Sequence, residues 1–130
     1  MADGFDGQPR RSIRARNLPI DASAVTIAEA RAFSPRDERD ARRNLECASE
    51  ITRLKIVRVL IETPLAASDL ARVVGRSAAA TSQHIRVLRE VGAVTATRSG
   101  NVIRYRMSRE PSAAILETIA RSFDQLGKRE

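Results

Sequence analysis

Apolar residues recur at three- and four-residue intervals in five stretches between residues 36 and 126, and alternate with polar ones in a sixth. Ala41, Leu45 and Ala48 predict a helix over 36–48, opened by Ser34-Pro35 with Ser34 as its N-cap. Ile51, Leu54, Ile56 or Val57, and Leu60 or Ile61 predict a wider-striped, buried helix over 50–62. Thr63-Pro64 ends it, because a residue before proline disfavours the helical region. Ser68 is expected to cap a short helix over 69–74 that Gly75 terminates. Ser77 is expected to cap a longer one over 78–91, closed by Gly92. On the wheel of that longer helix, Thr81, Ile85, Leu88 and Val91 share one side, and Ala79, Ser82, Gln83, Arg86 and Glu90 share the other. Strands are predicted at Val94–Arg98 and Val102–Met107, with Ser99-Gly100-Asn101 as the hairpin turn. Alternation in the second strand sends Ile103, Tyr105 and Met107 to the core and Val102, Arg104 and Arg106 outward. Pro111 opens a last helix over 111–126, where Ile115, Ile119 and Phe123 repeat every fourth residue and Leu116 and Leu126 add apolar surface. So apolar a terminal helix has little domain left to cover, which points to a second subunit.

The order of these elements predicts a mainly α chain with a small β-hairpin, a winged helix-turn-helix over 36–130. In such a module the second helix of the pair lies in the DNA major groove. Residues 1–35 read differently, with scattered Gly and Pro and no sustained period. They are expected to form an N-terminal tail. Within it Ala22–Phe33 has a weak stripe (Val25, Ile27, Ala28, Ala32) and a cap in Asp21 or Ser23. That pattern fits either a transient helix or an extra helix packing on a partner subunit.

Charge strengthens the nucleic-acid reading. Seven arginines (76, 86, 89, 98, 104, 106, 109) face a single acid, Glu90, across residues 76–109, which holds most of the net charge of +7. Arginine outnumbers lysine by 21 to 2, a bias a GC-rich genome also produces, so the clustering counts for more than the total. Aromatics make up only 3% of the chain, too few for the stacking platforms that single strands or RNA require. A chain of 130 residues that is 42% hydrophobic is enough for one modest core. The longest apolar run is interrupted by Arg58, far short of the ~20 residues of a membrane span. With no apolar leader at the N-terminus and a single cysteine, the expected location is the cytoplasm.

Three segments carry a resemblance to the ArsR/SmtB family of winged-helix repressors, spanning about residues 40–126. They are ITRLKIVRVL (51–60), SDLARVVGRSAAATSQHIRVLREVGAV (68–94) and the wing GNVIRYRM (100–107). The resemblance implies a homodimer built from the 36–48 and 111–126 helices, with Leu45, Ile115, Ile119 and Phe123 at the interface. It implies a repressor bound to an inverted-repeat operator in duplex DNA. The family's base-contacting slots fall on Ala78, Ala79, Ser82 and Gln83. The first two depart from the polar residues common there, although alanine can touch a thymine methyl. Gln83 can pair bidentately with adenine. Ser77, His84 and Arg86 complete the expected helix contacts, and Arg98, Asn101, Arg104 and Arg106 those of the wing. His84 otherwise reads as a packing or backbone-bonding residue at the core edge.

Many members of that family sense metals, but this chain lacks the motifs. Where a Cys-x-Cys pair would stand it has Ala66-Ala67-Ser68-Asp69-Leu70, and residues 111–126 hold no histidine. One Cys and one His per subunit cannot complete a conventional three- or four-ligand site, so no metal or cofactor is expected. Cys47 reads either as a small buried hydrophobe or as a redox switch at the dimer seam. No catalytic arrangement is present: there is no Ser/His/Asp set, phosphate-cradling glycine loop or HExxH motif. The classes left are a DNA-binding regulator and a winged helix used for protein interaction. The three wing arginines favour the first. The effector is not legible in the sequence.

Overall fold

The computed structural model describes residues 18–127. The first 17 residues of the expected tail and the last three residues of the chain lie outside the described residues. The chain divides around Pro35 into two units. The first holds α1 (Ala22–Glu29), capped by the Asp21 carboxylate, which accepts from the Ala24 amide. This helix is shorter than the expected 22–33, and none of its residues is buried.

The second unit runs α2 (Pro35–Ala48), α3 (Ile51–Glu62), α4 (Ala67–Val74), α5 (Ala78–Glu90), β1 (Val94–Ser99), β2 (Val102–Met107) and α6 (Pro111–Gly127). Helix α3 is the scaffold. Its Leu54, Ile56, Val57 and Leu60 are buried, while Ile51 at its start stays exposed. Around it pack Leu70 and Val74 of α4, Ile85 and Leu88 of α5, and Leu116 and Ala120 of α6. Leu88 is fully enclosed, so truncating it to alanine would cost about 2–5 kcal/mol.

Four expectations need correction. Ser68 does not cap α4. The helix begins at Ala67, with Ala66 at the N-cap position and no side-chain bond. Leu65 is pinned by a backbone bridge to Tyr105, with Tyr105 N donating to Leu65 O at 2.8 Å, and the helix starts as soon as that extended segment ends. The hairpin turn is two residues, Gly100-Asn101, because Ser99 pairs with Val102. Ile103 is not in the core but 41% exposed, since it lies near the hairpin tip beyond the packed body. Leu116 is buried rather than part of the free surface. With Ala113 and Ala120 it forms the face of α6 that covers the domain, and small residues let α6 approach α3 closely. Arg58 of α3 fastens this contact, donating to the Ala120 carbonyl at 2.8 Å and pairing with Asp124 at 2.7 Å.

Candidate nucleic-acid interface

Helix α5 is presented by the turn before it. Gly75 takes φ +72 at the end of α4, a left-handed conformation that lets the chain reverse without strain from a Cβ. Two residues later Ser77 caps α5, its hydroxyl accepting from the Ala80 amide at 3.1 Å. Thr81, Ile85 and Leu88 are buried, which fixes the rotation of the helix. Ser77, Ala78, Ala79, Ser82, Gln83 and Arg86 are consequently exposed together, and His84 is half-buried at the edge. Alanines at the first two helical positions keep that end slim enough for close approach to a ligand surface.

Two arginines hold α5 from behind, and neither was identified from the sequence as part of the site. Arg43 of α2 donates to the Glu90 carbonyl at the C-terminal end of α5, where a cation also suits the helix dipole. Arg53 of α3 donates through Nε to His84 Nδ1 at 3.3 Å. Their partners lie 47 and 31 residues away, so no local pattern could reveal either contact.

The wing follows directly. Its antiparallel register pairs Arg98 with Ile103, Thr97 with Arg104, and Thr95 with Arg106. Residues paired across an antiparallel ladder share a face, so the wing arginines divide. Arg98 lies on the face of Tyr105 and Met107, which packs toward α5; Arg104 and Arg106 lie on the opposite face. There they line a hollow of about 200 Å³ with Pro64, Thr97 and Ser99. Asn101 sits at the exposed tip. Arg89 of α5 stands over the Tyr105 ring, 5.9 Å from its centroid, joining helix to wing.

Cys47 lies in the core, 2% exposed, and burial pushes its thiol pKa up, opposed more weakly by the Arg53 charge. Burial and protonation both oppose oxidation, so the structure does not present Cys47 as a ready redox switch. The expected dimer residues separate as well. Leu45, Ile115 and Phe123 are exposed, whereas Ile119 is partly buried against its own core. Among the described residues no three His, Cys, Asp or Glu side chains gather closely enough to hold a metal ion, and no helix is long and apolar enough to cross a membrane.

A capped helix with an exposed polar face, held beside an arginine-bearing hairpin, defines a winged helix-turn-helix DNA-binding protein. Residues 49–96 match the helix-turn-helix domain family. The chain is 32% identical over 117 residues to the HTH-type transcriptional regulator NmtR of Mycobacterium tuberculosis, covering 90% of this chain and 82% of that protein. Its fold superposes on the transcriptional repressor BigR of Xylella fastidiosa with a TM-score of 0.63, at 26% identity over 68% of this chain and 88% of that one. A homodimeric winged helix-turn-helix DNA-binding domain from Mycobacterium bovis has the same fold, with a TM-score of 0.62 at 21% identity over 77% of this chain and 95% of that one. The chain belongs to the ArsR family of helix-turn-helix transcriptional regulators. It is a DNA-binding regulator, not an enzyme.

Proposed function

We propose that the protein is a homodimeric repressor that binds an inverted-repeat operator, with α5 in the major groove and the wing along the backbone. The observation that carries this reading is the exposure of Ser82, Gln83 and Arg86 on one face of α5, opposite the buried Thr81, Ile85 and Leu88. In this arrangement Gln83 reads a base edge, and Ala78 and Ala79 allow close approach and contact with a thymine methyl. Ser77, Ser82, His84 and Arg86 hold phosphates or base edges. Arg98, Asn101, Arg104 and Arg106 contact the backbone from the two faces and the tip of the wing.

The roles of helix and wing separate in a competition assay with operator and scrambled duplexes at two salt concentrations. A base-reading pair contributes about 1–3 kcal/mol of discrimination, whereas a phosphate contact strengthens all sequences alike. Gln83→Ala is expected to weaken operator binding and leave scrambled DNA nearly unaffected. Arg104→Ala is expected to weaken both and to reduce the salt slope by about 0.9. Equal losses on both duplexes for Gln83→Ala would remove base reading from α5 and shift specificity to DNA shape.

A further inference from the structure

Arg53 makes two side-chain contacts where α2, α3 and α5 meet. Its Nη1 donates to the Cys47 carbonyl in the last turn of α2 at 3.4 Å. Its Nε donates to His84 Nδ1 on α5 at 3.3 Å. Glu50, three residues before it, caps α3 by accepting from the Thr52 amide at 2.7 Å. That bond is the main reason the Glu50 carboxyl lies below its usual range.

The bond to His84 has a chemical consequence. A guanidinium N–H can only donate, so Nδ1 must keep its lone pair, and a neutral imidazole then carries its proton on Nε2. Turning the ring over would set a carbon against the guanidinium and lose the bond, so the ring plane is fixed too. The Nε2–H has no hydrogen-bond partner among the described residues, and His84 is only half-buried at the margin of the exposed face of α5. Resting on the reading of α5 as the DNA-facing helix, we propose that Arg53 is a positioning residue that locks His84 as the Nε2–H tautomer and presents that N–H to a backbone phosphate.

The test has two arms. In the free protein, with the imidazole neutral, ring ¹⁵N spectra are expected to show His84 wholly as the Nε2–H form. Arg53→Met should convert it to a tautomer mixture. A wild-type mixture, or a spectrum that Arg53→Met leaves unchanged, overturns the proposal without any reference to DNA. In the binding arm, a neutral N–H donor releases no counterion, so affinity at fixed salt is the readout. His84→Ala should weaken duplex binding about tenfold, Arg53→Met should weaken it less, and the double variant should be no weaker than His84→Ala. His84→Gln retains a terminal N–H that needs no partner at Nδ1. It should keep the wild-type affinity and be insensitive to Arg53→Met, a rescue that a purely structural role for Arg53 would not give. Additive losses, or a Gln variant as weak as Ala, would overturn the coupling. Wild-type protein that bound no duplex would defeat the reading of α5, while the spectra would still decide the tautomer.

Discussion

At the scale of the residue, the side chains that make this interface are those whose neighbours hold them in place. Thr81 illustrates the cost of such support. It is fully buried beneath the exposed face of α5, and its hydroxyl has no hydrogen-bond partner. A buried hydroxyl left unpaired costs roughly 1–3 kcal/mol relative to an apolar group of the same shape. Thr81→Val substitutes a methyl for the hydroxyl at nearly constant volume. Urea unfolding is therefore expected to show stability unchanged or raised by about 1 kcal/mol, with the salt slope for DNA untouched. A loss of more than 1 kcal/mol would mean that the hydroxyl is satisfied in solution, by water in the core. Residues such as His84 work the other way: their position is set by a partner on another element, and the single-residue wheel placed His84 correctly at the core edge without showing what held it there.

At the scale of the element, the joint between α5 and the wing fixes how the two surfaces are presented together. Gly92 makes that joint at φ +86, and its carbonyl accepts from the Ser108 hydroxyl at 2.6 Å. The Ser108 amide in turn donates to Ala93 O at 2.9 Å, so the strand returning from the wing is tied to the chain entering it. A Cβ at position 92 would meet Glu110 Oε1 at 2.9 Å, but that is the end of a flexible side chain and can move aside. The left-handed backbone cannot, and it costs a non-glycine residue about 1–2 kcal/mol. Gly92→Ala is thus expected to lower stability by about that amount, and adding Glu110→Ala should not restore it. Recovery in the double variant would show that the clash, not the backbone, sets the cost. Most elements were legible in the sequence because burial and periodicity are two views of one constraint: the stripes of α3 and α5 reappear as the core. The core face of α6 was not. It is made of Ala113, Leu116 and Ala120, and alanine carries little hydropathic signal although it decides how closely two helices pack. The grouping of Arg104 with Arg106 on the outer face was legible from alternation. The wing arginines were expected on one face, however, and Arg98 lies on the other, since shortening the turn by one residue changes which residues pair across the hairpin.

At the scale of the molecule, the described winged unit leaves large apolar side chains uncovered on its first and last helices. Leu45 on α2 is 61% exposed, and Phe123 on α6 is 50% exposed, with Ile115 and Leu126 near the same value. Ile119, one turn from both Ile115 and Phe123, is partly covered by its own core, so the free surface of α6 flanks the packed one instead of replacing it. Apolar area of this kind, carried by helices that already close a core, suits an isologous interface between two copies. A two-fold dimer also supplies what one α5 cannot: two recognition helices set for half-sites about 34 Å apart, one turn of duplex. Sedimentation at micromolar concentration is expected to give twice the 14.3 kDa chain mass. Phe123→Asp sets a charge into the proposed seam at a position exposed in the protomer, so the fold should persist, as circular dichroism would register, while the mass falls to that of one chain. Losing the second recognition helix removes the gain from bivalent binding, and operator affinity should drop by about 10²–10⁴-fold. Binding to a single half-site should change little, because α5 and the wing are intact within each protomer. A Phe123→Asp variant that kept the dimer mass would place the interface elsewhere, and one that lost half-site binding would show that the protomer's own fold depends on its partner.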